Sequence, residues 1–122
     1  MISFELDEIA GVITVRPEGK LEAQDFQTLS QAVDPYIEEK GKLIGLIIST
    51  EKFPGWKDFY GMIKHMKFAR VHHKDITRVA LVTDSKIADV AKILGKYFIK
   101  ASIKYISFKE FESAKSWISQ AP

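Results

Sequence analysis

Three histidines, His65, His72 and His73, are the residues whose type first suggests chemistry, because neutral imidazole is the commonest protein ligand for metals. Zinc sites on helices use His pairs three or four residues apart, together with a further ligand. The separations here are seven residues and one. Seven residues of helix span about 10 Å, which is too far for two side chains to chelate one ion. We therefore predict no metal site and no cofactor, and we interpret the histidines as part of a solvated basic surface.

The sequence lacks the short motifs of nucleophilic and phosphoryl-transfer catalysis. It contains no Gly-rich phosphate loop, no Gly-x-Ser-x-Gly elbow and no cysteine. The pairs Glu38–Glu39 and Glu110–Glu112 have no histidine beside them and are typical of surface charge. We therefore predict that the protein is not an enzyme.

Polar side chains follow two strongly apolar segments that read as buried strands. Ser49 and Thr50 follow the first segment, and Thr83 and Asp84 follow the second. Ligands of open α/β sheets bind at the carboxyl ends of the strands. These four residues are therefore the polar groups that we expect beside a pocket, although an Asp-Ser pair at residue 84 is also typical of a helix cap.

The segment from 56 to 72 carries the strongest signal for binding. Placed on a helix, its apolar residues cover an arc of about 200°, wider than the stripe of somewhat over 100° that one packing contact needs. The expected ligand-binding side chains on this arc are Trp56, Phe59, Tyr60, Ile63 and Met66. The expected membrane or partner contacts are Lys57, Lys64, Lys67, Phe68 and Arg70. A well-buried helix with one exposed Phe explains the same pattern, so a structural and a functional interpretation both stand.

The elements that position these residues alternate along the chain. Residues 2 to 6 and 12 to 16 alternate apolar and polar residues around Ala10-Gly11 and predict a hairpin. A helix follows from Leu21 to Glu39, with Gly41 placed to end it and Pro35 a site where it could kink.

Two nearly continuous apolar runs, Leu43 to Ile48 and Val79 to Val82, are typical of strands covered on both faces. A helix after Ser85, a strand from Ile103 to Phe108 and a closing helix complete the order β-β-α-β-α-β-α-β-α. The predicted fold is α/β, with a mostly parallel five-stranded sheet flanked by about four helices in one domain over 1–122. We predict that the sheet core contains Ile44, Leu46, Ile48, Val79, Leu81 and Ile106.

Composition indicates a globular protein. Apolar residues make up 46% of the 122, and no stretch approaches the roughly 20 apolar residues of a bilayer span. We expect a cytoplasmic protein with no secretion signal, peripheral to the inner face of the membrane if it binds lipid. The net charge of +2 is too small to imply nucleic acid, but residues 52 to 78 hold seven basic and two acidic side chains.

The element order, the strand ending Ile48-Ser49-Thr50, the Gly55-Trp56 junction and the string Val82-Thr83-Asp84 together resemble the SpoIIAA-like family of the STAS superfamily. The resemblance implies a regulatory or ligand-binding module related to anti-sigma-factor antagonists and, more distantly, to lipid-holding CRAL-TRIO domains. Those antagonists are switched by phosphorylation within an Asp-Ser-Ser-Gly motif, which this sequence lacks. Glu51 would also repel a phosphate on Ser49 or Thr50, so we predict no phospho-switch.

Two functions remain open. The first is a non-enzymatic module that binds a small apolar or lipid-like molecule under a movable helix at 56 to 72, with peripheral membrane contact. The alternative is a protein interaction module of the antagonist type, in which the same surface meets a partner protein or a second copy in a homodimer.

Overall fold

A computed structural model describes residues 1–19, 22–52, 76–84 and 101–120. The strands are β1 (Ile2–Asp7), β2 (Val12–Pro17), β3 (Leu43–Ser49), β4 (Ile76–Val82) and β5 (Ser102–Ile106). The helices in these ranges are α1 (Ala23–Lys40) and α2 (Phe111–Ser119), the second preceded by a 3-10 turn at Phe108–Glu110. The helices predicted at 56 to 72 and after Ser85 lie outside the described residues.

The strands form one five-stranded sheet in the order β1-β2-β3-β4-β5. β1 and β2 pair as an antiparallel hairpin, and β2 to β5 are parallel. The hairpin turn ends at Gly11, whose φ of 72° lies in the left-handed region that favours glycine. The mostly parallel α/β architecture predicted from the alternation of elements is therefore confirmed for the described residues.

Helix α1 begins and ends where its sequence provides caps. Glu22 and Asp25 form a capping box at its start, and Gly41 adopts φ 84° at its end, where its N–H donates to the carbonyl of Ile37. Gly41 as the stop is confirmed. The helix continues without a break through Pro35, where a kink had been a possibility.

Each face of the sheet has its own core. On the α1 face, large aliphatic residues of β2, β3 and β4, such as Val15, Leu46 and Val79, pack with Leu29 and Val33 of the helix. On the α2 face, the core of the described residues consists of Ile47, Ala80, Val82, Ile106, Ala114 and Ile118. Coverage of β3 and β4 on both faces explains their continuous apolar sequences.

A glycine and an arginine hold α2 close to the sheet. A Cβ on Gly45 would lie 2.3 Å from Cγ2 of Ile118, so only glycine permits this approach. Arg78 of β4 stacks 5.4 Å from the ring centroid of Trp117 and donates hydrogen bonds to the carbonyls of Trp117 and Gln120. Its positive charge thus satisfies carbonyl groups at the carboxyl end of the helix.

The core prediction is wrong for Ile44, whose surface is 40% exposed, and right for the other five residues. The N–H groups of Ile44 and Gly45 both donate to the carbonyl of Gly11, at 2.8 and 3.1 Å. At this point the side chains of β3 no longer alternate strictly between the two faces, as in a β-bulge. Leu43 and Leu46 are three positions apart, yet both belong to the α1-side core. Ile44 is consequently left at the surface.

The last strand is shorter than predicted. It ends at Ile106, and Phe108 begins the 3-10 turn. The N–H of Phe108 donates to Oδ1 of Asp84 at 3.0 Å, which directs the backbone out of the sheet.

Candidate functional site

Backbone hydrogen bonds join the carboxyl end of β3 to that of β4, and the carboxyl end of β4 to that of β5. The N–H of Thr50 donates to the carbonyl of Val82, and the N–H of Thr83 donates to that of Ile106, both at 3.0 Å. The polar residues that follow β3 and β4 are therefore brought to one edge of the sheet, as the sequence predicted.

Three of the four predicted polar groups are engaged within the chain. The hydroxyl of Thr50 donates to the carbonyl of Lys52 at 2.8 Å, and that of Thr83 donates to the carbonyl of Glu51 at 3.3 Å. The carboxylate of Asp84 accepts hydrogen bonds from the N–H of Phe108 and the hydroxyl of Ser107. These groups shape the loops at the edge, because each is held by a backbone partner or a near neighbour.

Ser49 is different from these three residues. It is only 6% exposed, yet its hydroxyl has no hydrogen-bond partner within the part of the chain that the structure describes. It lines a cleft of about 350 Å³ at the carboxyl ends of β2 and β3. The hydroxyl is therefore free to donate a hydrogen bond to, and accept one from, a ligand or water in the cleft.

The cleft, which we name the strand-end cleft, has walls of balanced charge. Its lining residues are Arg16, Pro17, Glu18, Gly19, Ser49, Thr50, Glu51, Lys52 and Phe108. Two cations and two carboxylates therefore line the same cleft as Ser49, and Phe108 adds an aromatic side chain to its wall. This environment suits a polar group that is uncharged or zwitterionic better than a single strong charge.

Arg16 stands between the strand-end cleft and a second hollow on the α2 face. Its guanidinium carbon lies 5.1 Å from the ring centroid of Phe111, within cation–π range, and its Nη1 lies 3.8 Å from Oε1 of Glu5. The second hollow has a volume of about 210 Å³ and is lined by Thr14 and Phe111, among others. Thr14 is 8% exposed, and its hydroxyl likewise has no partner among the described residues.

The sequence pointed to only part of this site. Ser49 and Thr50 do line the strand-end cleft, whereas Thr83 and Asp84 support its loops without lining it. Arg16 and Phe108 were missed, because one sits in a polar position of a hairpin strand and the other was assigned to β5. The remaining predicted residues, all between 56 and 70, lie outside the described residues.

The described residues, 1–19, 22–52, 76–84 and 101–120, contain neither a membrane-spanning helix nor a metal-binding cluster. No helix within them is long and apolar enough to cross a membrane. No group of three or more His, Asp or Glu side chains among them is placed to hold a metal ion.

The fold and the edge site define a class: an α/β domain with a mostly parallel sheet and polar loops at the carboxyl ends of its strands. A family model described as SpoIIAA-like matches residues 12–119. The chain therefore belongs to the SpoIIAA-like family, which is a STAS-type domain. No curated protein and no solved structure matches it.

Proposed function

We propose that this domain is a non-enzymatic module that binds an amphiphilic, lipid-like molecule. The polar end of the molecule occupies the strand-end cleft, and its apolar part contacts the segment from 56 to 72. The observation that carries the proposal is the Ser49 hydroxyl, which has no partner in the described chain and lines a cleft of about 350 Å³.

The cleft supports a binding role in three ways. Ser49 offers both a donor and an acceptor to a ligand. Arg16 and Lys52 line the cleft together with Glu18 and Glu51, which favours a neutral or zwitterionic polar end. The site lies at the carboxyl ends of parallel strands, where open α/β sheets generally bind ligands.

The chain leaves β3 at this cleft and enters the segment from 56 to 72. Its sequence combines a wide apolar arc with Lys57, Lys64 and Arg70. Methionine and aromatic side chains suit irregular apolar ligands, and basic flanks suit anionic head groups. The apolar residues proposed to contact the tail of the ligand therefore follow Ser49, which is proposed to bind its polar end, closely in the sequence.

The first test looks for the ligand itself. Native mass spectrometry of the purified protein is expected to detect a lipid-sized adduct that is reduced in Ser49→Ala. Thr50→Val is the matched control, because the Thr50 hydroxyl is already bonded to Lys52 and the volume is conserved. Absence of an adduct, or equal adducts in all three proteins, would contradict the role of Ser49.

The second test measures membrane contact. Co-sedimentation with vesicles of phosphatidylcholine and phosphatidylglycerol is expected to weaken in Phe68→Ala and in Lys64→Glu, more strongly for the latter at low salt. Lys42→Glu makes the same charge change just before β3, at the end of that strand opposite the strand-end cleft, and is expected to have little effect.

The alternative from the sequence, a protein interaction module, predicts a different result. SpoIIAA-like domains typically mediate contacts between proteins. A dimer that persists in detergent, releases no ligand and ignores vesicles would favour this function over lipid binding.

A further inference from the structure

The outer edge of β1 presents backbone groups in a defined pattern. Met1 and Glu18 exchange two hydrogen bonds, both at 2.7 Å, and so form a hydrogen-bonded pair of the antiparallel ladder. Such pairs alternate with non-bonded ones, so Ser3, Glu5 and Asp7 direct their N–H and C=O groups toward β2. Ile2, Phe4 and Leu6 direct theirs away from the sheet.

Within the described ranges, the first outward N–H is the only one with a hydrogen-bond partner. Oδ1 of Asp25, in the first turn of α1, accepts it from Ile2 at 3.3 Å. The outward groups of Phe4 and Leu6 have no partner among the described residues. Edge strands are commonly protected by lysine, proline or a bulge, and β1 has none of these.

The two faces of β1 differ in chemistry. Phe4 and Leu6 are half-buried against the α1-side core, so an added strand with apolar residues there would extend that core. Glu5 and Asp7 are exposed on the opposite face. Glu5 is 80% exposed in its side chain, and its 3.8 Å pair with Arg16 is of the exposed kind that contributes little.

The charge of the residues around β1 indicates the chemistry that a partner strand would need. Residues 1 to 39, which include β1 and all of α1 except Lys40, hold nine acidic side chains and two basic ones. One of the two, Arg16, lies on β2 and is separated by β1 from any added strand. Lys115 of α2 borders the hollow beside Glu5 and is likewise on the inner side of β1.

We propose that the outer edge of β1 binds an extended peptide segment in which apolar residues alternate with Lys or Arg. Backbone hydrogen bonds form with Phe4 and Leu6, apolar side chains pack beside those residues, and basic side chains meet Glu5 and Asp7. A second copy of β1 fits less well, because its own Glu5 and Asp7 would join the same acidic face. The surface is separate from the strand-end cleft, so neither proposal depends on the other.

The test uses an acetylated, amidated eight-residue peptide of alternating Val and Lys. We expect its binding, followed by backbone amide NMR, to shift and protect from exchange the N–H groups of Phe4 and Leu6. A peptide alternating Val and Glu is expected not to bind. The Val–Lys peptide methylated on the backbone nitrogens that face β1 is also expected to fail, because it cannot donate to the edge.

Two protein variants separate edge binding from general attraction of charge. Glu5→Lys is expected to weaken the affinity for the Val–Lys peptide about tenfold, since an attraction across the strands becomes a repulsion. Glu39→Lys makes the same charge change at the far end of α1 and is expected to leave the affinity within about twofold.

Three results would overturn the proposal: equal weakening by both variants, full binding of the methylated peptide, or amide shifts that map away from β1. Sedimentation that shows a homodimer whose affinity changes in Glu5→Lys and not in Glu39→Lys would also overturn it, in favour of a second copy at this edge.

Discussion

The two faces of the sheet are packed differently. The α1 face is covered by an 18-residue helix and packs large aliphatic side chains without exposure. Among the described elements, the α2 face is packed by a nine-residue helix that approaches over Gly45, and the hydroxyls of Thr14 and Ser49 line hollows on this side without a partner in the described chain. Among the described residues, most of the large core side chains thus lie on the α1 face, while polar side chains that line hollows lie on the α2 side and at the carboxyl edge of the sheet.

The largest expected effect is on the α1 face. Leu46→Ala removes a fully buried side chain and is expected to lower the free energy of unfolding by about 2 to 5 kcal/mol. Urea titration measures the change. A loss below about 1 kcal/mol would mean that this face is not the tightly packed one.

Gly45→Ala tests the close approach of α2. The added methyl overlaps Cγ2 of Ile118, so we expect a loss of about 1 to 3 kcal/mol from overpacking. In an Ile118→Ala background the same substitution is expected to cost little, because the overlapping atoms are gone. A double-mutant cycle with no coupling between the two positions would show that α2 moves freely over β3.

Asp25 tests the polar attachment of α1. The pKa of Asp25 is lowered, first by the hydrogen bond from the N–H of Glu22 and then by that from Ile2, because both stabilise the carboxylate. The stabilisation is therefore complete above the ordinary value of 3.8 and is lost as the pH falls through the lower folded value. Asp25→Asn is expected to cost about 1 kcal/mol at pH 7 and less at pH 3, measured by urea titration. An equal loss in the free energy of unfolding at both pH values would mean that the substitution acts through the shape of the side chain and not through its charge.

The smallest expected change in stability is at Ser49. Ser49→Ala removes a hydroxyl that has no partner in the described chain, so the free energy of unfolding should change by less than about 0.5 kcal/mol. Thr50→Val removes a hydroxyl bonded to Lys52 and should cost about 0.5 to 1.5 kcal/mol. Equal losses at both positions would show that Ser49 has a structural partner, and the difference between the two edge hydroxyls would disappear.

Much of the fold follows from local pattern. The hairpin around Gly11, the stop at Gly41 and the two-sided burial of β3 and β4 depend on residues close together in the chain. Period and turn chemistry act at that range, so they predict the type and order of these elements.

The site could be predicted only in part, because strand ends are local but neighbours across the sheet are not. Ser49 and Thr50 were found from their position after an apolar run. Arg16 reaches the same cleft only because β2 pairs with β3 in a register that joins Val15 to Ile48. The hydroxyl of Thr50 is hydrogen-bonded to Lys52, whereas that of Ser49 has no partner in the described chain. No local sequence pattern predicts this difference, because it depends on the path of the loop to Lys52.

The sequence by itself thus determined the α/β class, the order of the described elements and the edge at which polar groups gather. The tertiary structure decided that Ile44 is exposed, that Arg16 and Phe108 wall the cleft and that β1 offers an open edge. The physical reason is that hydrophobic period and caps operate within a turn or a strand. Register, the shared hydrogen bond at Gly11 and the contact of Gly45 with Ile118 arise between residues about 30 to 75 positions apart.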